Sequence, residues 1–120
     1  MAYVKSTFEM NIGLGNNPMD FDQITRHFEL NPEFGAFFFG LGQSTYEGKQ
    51  EPTVHIIMHN TLRYSYFIQR VEALCKLMKQ DCIAVKINGQ GVLVYNPDYE
   101  GSLHTFDPSL WLDKTAETII

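Results

Sequence analysis

His55 and His59, four residues apart, are the first side chains in this chain whose type and spacing suggest metal or acid–base chemistry. They fall in Thr53 to His59, where Val54, Ile56 and Met58 alternate with Thr53, His55, Ile57 and His59, the pattern of a strand. On a strand both imidazoles point to one side with Cβ atoms about 13 Å apart, too far to share a metal ion without a bend. They read as surface histidines. His27 and His104 stand far off in the chain, and no spacing joins them to a site. Asp20 and Asp22 invite an acid-pair reading. Asp20, with Gln23 three places on, has a sufficient task at a helix start, where free amide groups favour a carboxylate.

Other motifs are equally plain. Gly13-Leu14-Gly15 lacks the third glycine of a dinucleotide fingerprint, and Gly40-Leu41-Gly42 runs into a polar stretch; both read as turns. A Gly-x-Ser-x-Gly nucleophile motif is absent, and Ser44, Ser65, Ser102 and Ser109 each have a capping or turn explanation. Cys75 and Cys82 are the only cysteines and form no C-x-x-C pair. Cys75 lies on the apolar stripe of a helix, where burial raises a thiol pKa, so both read as reduced packing residues. No catalytic constellation, metal site or cofactor is expected.

The surplus lies in aromatic side chains. Tyr46, Tyr66, Tyr95, Tyr99 and Trp111 exceed what one core requires, and such residues anchor protein interfaces. With Glu47 and Glu51 they form the candidate interface, bounded by the polar segment 42–52 and the tail 99–114.

These residues need elements to position them. Val4, Ser6, Phe8, Met10, Ile12 and Leu14 alternate with Tyr3, Lys5, Thr7, Glu9 and Asn11, a half-buried strand over 3–14. A short helix from Asp20 buries Phe21, Ile24 and Phe28 and ends at Asn31-Pro32. Phe34 to Leu41 is apolar on both faces and reads as an interior strand. Gly42 to Pro52 reads as a long loop. From Thr61 to Gln80 the positions Tyr64, Phe67, Ile68, Val71, Leu74, Cys75 and Met78 recur at three and four, predicting a helix with one core-facing stripe. Cys82 to Ile87 and Gly91 to Tyr95 flank Asn88-Gly89-Gln90-Gly91, a hairpin signal. Asp107-Pro108 suggests a short helix carrying Leu110, Trp111 and Leu112.

The order strand, helix, strand, strand, helix, strand, strand predicts an α+β fold. It matches a ferredoxin-like β-α-β-β-α-β unit with an added C-terminal edge strand, both helices on one face of a mostly antiparallel sheet. Residues 1–97 make the domain and 98–120 a C-terminal extension.

Composition narrows the class. At 120 residues, 44% hydrophobic and 19% charged, the chain is one globular domain by length and content. A net charge of −5 without a basic run argues against direct nucleic-acid binding and favours basic protein surfaces as partners. The first residues lack an apolar signal core, and no apolar run nears the roughly 18 residues of a membrane span. A soluble, cytoplasmic protein is expected.

Glu51-Pro52-Thr53-Val54, Glu72-Ala73-Leu74-Cys75 and Gln80-Asp81-Cys82-Ile83-Ala84-Val85 with its following glycine turn resemble a group of small proteins encoded by phages, prophages and plasmids. The likeness covers about residues 50 to 97 and rests on packing motifs, so it transfers no catalytic residue. The group has no assigned function; the resemblance implies a setting in a bacterial host, where small acidic proteins of mobile elements are often host-takeover or counter-defence factors, including inhibitors of CRISPR complexes, that block a host protein. The expectation is a non-enzymatic inhibitor that occludes a basic surface. Two alternatives differ in class. One is a small-ligand or catalytic domain with His55, His59 and Glu51 beneath the 42–52 segment; the other is a structural homodimer pairing through strand 34–41 or 91–95.

Overall fold

The computed structural model describes residues 5–104, 106–108, 111 and 117–120. Its elements are β1 (Ser6–Gly13), α1 (Phe21–Glu29), β2 (Ala36–Tyr46), β3 (Lys49–Asn60), α2 (Tyr64–Leu77), β4 (Cys82–Ile87), β5 (Gln90–Tyr95) and β6 (Glu117–Ile119). They form one sheet in the order β5-β4-β1-β3-β2-β6. Neighbours among the first five strands are antiparallel, and the short β6 runs parallel to β2. The fold is thus α+β, an open five-stranded antiparallel sheet with two helices and a sixth strand at its edge.

Alternation in the strands and the three-and-four spacing in the helices meet in a single core. Phe8, Met10 and Ile12 of β1, Val54, Ile56 and Met58 of β3, and Ile83 and Val85 of β4 share one cluster with Ile24 and Phe28 of α1 and Phe67, Val71, Leu74 and Cys75 of α2. The Phe8 and Phe67 rings lie 4.1 Å apart between centroids. Burying each such side chain contributes about 1.5–3 kcal/mol, which makes this face the main source of stability.

Local chemistry sets the boundaries. Asp20 accepts from the Gln23 backbone at 2.8 Å while the Gln23 side chain accepts from the Asp20 backbone at 2.9 Å, the reciprocal capping predicted for α1. Both hairpins turn through two residues of positive φ, Glu47 and Gly48 between β2 and β3, and Asn88 and Gly89 between β4 and β5. At Gly35, also left-handed, a Cβ would stand 1.8 Å from the His59 carbonyl oxygen, so the approach of this turn to β3 requires glycine.

Several expectations change. The segment 42–52 is not a loop. Gly42 to Tyr46 pair with Lys49 to Thr53, so β2 and β3 run through these polar residues to a tight turn. Phe34 belongs to a turn of 3-10 helix, and β2 starts at Ala36 with a register shift between Ala36 and Phe38. Among the described residues, β2 has neighbours on both sides only over Gln43–Thr45, and Phe37, Phe38 and Leu41 are exposed, so 34–41 is not an interior strand. Tyr64 opens α2 but is exposed, off the core stripe. The short helix expected over 107–112 falls largely on residues outside the described ones.

The largest correction concerns the second face of the sheet. Glu9 and Asn11, on the polar side of β1, are buried together with Thr53, His55 and Lys86. The tail covers them. Trp111 is 2% exposed and Thr118 of β6 is 1% exposed. Asn11 donates to the Thr118 hydroxyl at 3.0 Å, Thr53 donates to Asn11, and the Lys86 ammonium donates to the Trp111 carbonyl at 2.6 Å and sits 4.7 Å from the Trp111 ring centre. Apart from the buried Trp111 indole N–H, which has no partner among the described residues, these polar groups are bonded, and such a layer reads in sequence like a wetted one.

Candidate functional site

The site lies at the end of the sheet where β1 stops at Gly13, the β2–β3 hairpin turns, and α2 passes into β4 through residues 79–82. A cavity of about 490 Å³ opens there. Three short stretches of chain line most of it, and each has a local reason for its shape.

Glu51 crosses from β3 toward the end of β1, where one carboxylate oxygen accepts from the Gly15 amide at 3.0 Å. A Cβ on Gly13 would stand 2.6 Å from the other oxygen, and a Cβ on Gly15 would stand 2.6 Å from the bonded one. Neither glycine has positive φ. The Gly13-Leu14-Gly15 motif, read as a turn, therefore makes room for a carboxylate.

At the end of α2 the chain closes with a left-handed Lys79, φ 52°. The Gln80 amide donates to the Cys75 carbonyl at 2.9 Å and the Lys79 amide to that of Lys76 at 3.4 Å, a Schellman ending with lysine where glycine is usual. This turn aims the Gln80 side chain at the cavity. Its amide nitrogen donates to the Met78 carbonyl at 3.0 Å, and its oxygen lies 2.9 Å from the Cβ position over Gly13.

Beside the cavity stands a cluster of ring side chains. The Tyr46 hydroxyl donates to Asp81 at 2.7 Å and lies 3.1 Å from His104 Nε2. Tyr99 donates to the Ser102 carbonyl at 2.8 Å, and its oxygen is also 3.1 Å from His104 Nε2. With both phenol protons committed elsewhere, His104 carries its proton on Nε2 and donates toward the two tyrosine oxygens. The His104 backbone amide donates to the Tyr95 hydroxyl at 2.7 Å, the Tyr95 and Tyr99 rings stack at 5.5 Å, and Glu47 lies 3.8 Å from His104 Nε2. Burial first, and then the bond to the Asp81 carboxylate, push the Tyr46 phenol pKa well above its ordinary value. It is a fixed hydrogen-bond donor at neutral pH. Burial likewise pushes the Cys82 thiol, on the cavity wall, up to about 12.

The structure thus brings together Tyr46, Glu47, Glu51, Tyr95 and Tyr99 and leaves out the other two candidates. Tyr66 is exposed near the start of α2, about 20 Å along the helix axis from Lys79. There it accepts from Arg70 at 3.2 Å, which also holds Glu33 at 2.5 Å. Trp111 is buried under the second face. His55 is not a surface histidine: it is 2% exposed, with Nε2 3.0 Å from the Glu9 carboxylate. His59 is exposed against Phe37. Neither histidine lines the cavity. Sequence reasoning marked Tyr46, Tyr95 and Tyr99 through the surplus of tyrosine but missed His104, Asp81, Gln80 and Ser44 as members of the site, which have no local spacing in common.

Among the described residues, no group of three or more His, Cys, Asp or Glu side chains stands close enough to hold a metal ion, and no helix is long and apolar enough to cross a membrane. No family model matches the chain, and no curated protein or solved structure gives a significant match. The kinship suggested by residues 50 to 97 rests on those residues alone.

Proposed function

We propose that this is a non-enzymatic binding protein that engages a basic surface of a protein partner through the cleft end of its sheet. The observation that carries this reading is the convergence of Tyr46, Glu47, Glu51, Tyr95 and Tyr99 on one end of the molecule, in positions fixed by His104, Asp81 and Gly15. Anchors that are rigid before a partner arrives lose little entropy on binding, and aromatic anchors carry much of an interface's energy. A net charge of −5 favours approach to a cationic surface. That the partner belongs to a bacterial host, that binding inhibits it in the manner of counter-defence factors, and that the setting is cytoplasmic are parts of the proposal supported by the resemblance alone. The antiparallel order β4-β1-β3-β2 supports reading the central strands with α1 and α2 as a ferredoxin-like unit to which β5 and β6 are added.

Affinity capture from bacterial lysate over a salt series tests the reading. One defined partner is expected, with recovery falling as salt rises and falling further for Glu47→Lys, whose side chain is 62% exposed and changes no core contact. No partner at any ionic strength, or recovery indifferent to both salt and Glu47→Lys, contradicts it. The cavity favours a second reading, a site for a small polar ligand, of whose expected residues Glu51 lines it and His55 and His59 do not.

A further inference from the structure

At Glu51, Gln80 and Ser44 the cleft presents three oxygens able to accept further hydrogen bonds. One Glu51 oxygen is engaged by Gly15, but the other has no partner among the described residues, nor has the Gln80 side-chain oxygen. These two oxygens lie 2.6 and 2.9 Å from one point, the vacant Cβ position of Gly13. Ser44, on the same cavity wall, is 4% exposed, and its hydroxyl also lacks a partner among the described residues. These three groups keep access to water in the free protein and stand ready to accept from a partner's donors, held at a cleft where Gly13 and Gly15 leave room for the Glu51 carboxylate. Asp81 and Glu47 add negative charge at the same cavity. Lys49 and Lys79 also line it, but both are exposed, where flexible stems let the ammonium groups reach solvent.

We infer that this cleft receives an arginine side chain of the partner, its guanidinium donating from the cavity side to the free Glu51 oxygen and the Gln80 oxygen that pack over Gly13, with Ser44 as a further acceptor. A guanidinium offers five N–H donors in a rigid plane and is less strongly hydrated than an ammonium, so it suits a recess lined by separate acceptors better than lysine does. The inference rests on the reading of the protein as a binder of basic surfaces and names the group recognised.

The test titrates the full chain with N-acetyl-arginine amide and follows backbone amide resonances by NMR, with N-acetyl-citrulline amide and N-acetyl-lysine amide as comparisons. Saturable shifts are expected at Gly13, Gly15, Ser44 and Gln80 with the arginine probe. Glu51→Gln, which keeps the bond to Gly15 and removes the charge, should weaken binding about tenfold or more. Gly13→Ala, whose methyl displaces the Glu51 and Gln80 oxygens, should weaken it with resonances away from the cleft unchanged. Equal shifts from the citrulline or lysine probe, no shifts at these residues, or indifference to Glu51→Gln overturns the inference. Partner capture that keeps its full strength and salt dependence in Glu51→Gln also overturns it while leaving the broader reading intact.

Discussion

Lys79 holds a backbone conformation that glycine would adopt at lower cost. At φ 52° an L-residue is disfavoured by about 1–2 kcal/mol, whereas glycine loses about 0.5–1 kcal/mol of unfolded-state entropy. Lys79→Gly should therefore stabilise the fold by about 0.5–1 kcal/mol in urea denaturation; a loss of stability would show that the lysine side chain supports the turn. The two thiols make a second case. Burial pushes Cys75 and Cys82 up to about 12, so the folded state favours both as neutral thiols. That preference supports folding below about pH 9 and is lost as pH rises towards 12. Iodoacetamide at pH 8 should label the native protein more than about a hundredfold more slowly than the urea-unfolded chain. Comparable rates would mean that neither sulfur is shielded.

At the scale of elements, α1 depends on its cap. Asp20→Ala removes one half of a reciprocal pair and should cost about 1 kcal/mol, read as a lower denaturation midpoint with an unchanged slope; no change would mean that packing of Ile24 and Phe28 alone fixes the helix. This cap was legible because Asp20 and Gln23 state it in four residues, and α2 was legible because Phe67, Val71, Leu74, Cys75 and Met78 keep a helical period. The β2–β3 hairpin was hidden for equally physical reasons. Its arms turn polar at Gln43, Ser44 and Glu51, where side chains meet the cleft or the tail, and Pro52 argues against a strand from sequence alone. Its turn uses Glu47 where asparagine would have announced a positive φ. The site was half visible: an excess of tyrosine marked Tyr46, Tyr95 and Tyr99, but the groups that fix Tyr46 lie 35 and 58 residues away, at Asp81 and His104. Such partners have no local spacing to betray them.

At the scale of the whole molecule, the sheet has two different faces and two candidate contact regions. One face carries the apolar core beneath both helices; the other holds Glu9, Asn11, His55 and Lys86 beneath Trp111 and β6. Away from the cleft, Phe37, Phe38 and Leu41 are 60%, 44% and 71% exposed on β2, the feature on which pairing of two copies would draw. Recognition is proposed to fall at the cleft, and amide hydrogen exchange of the protein alone and with its captured partner compares the two regions directly. Added protection should fall on residues 46–51, 79–82 and 95–104, with residues 36–41 exchanging as before. Protection confined to 36–41, or spread over the exposed surfaces of α1 and α2 with the cleft unchanged, would contradict the account.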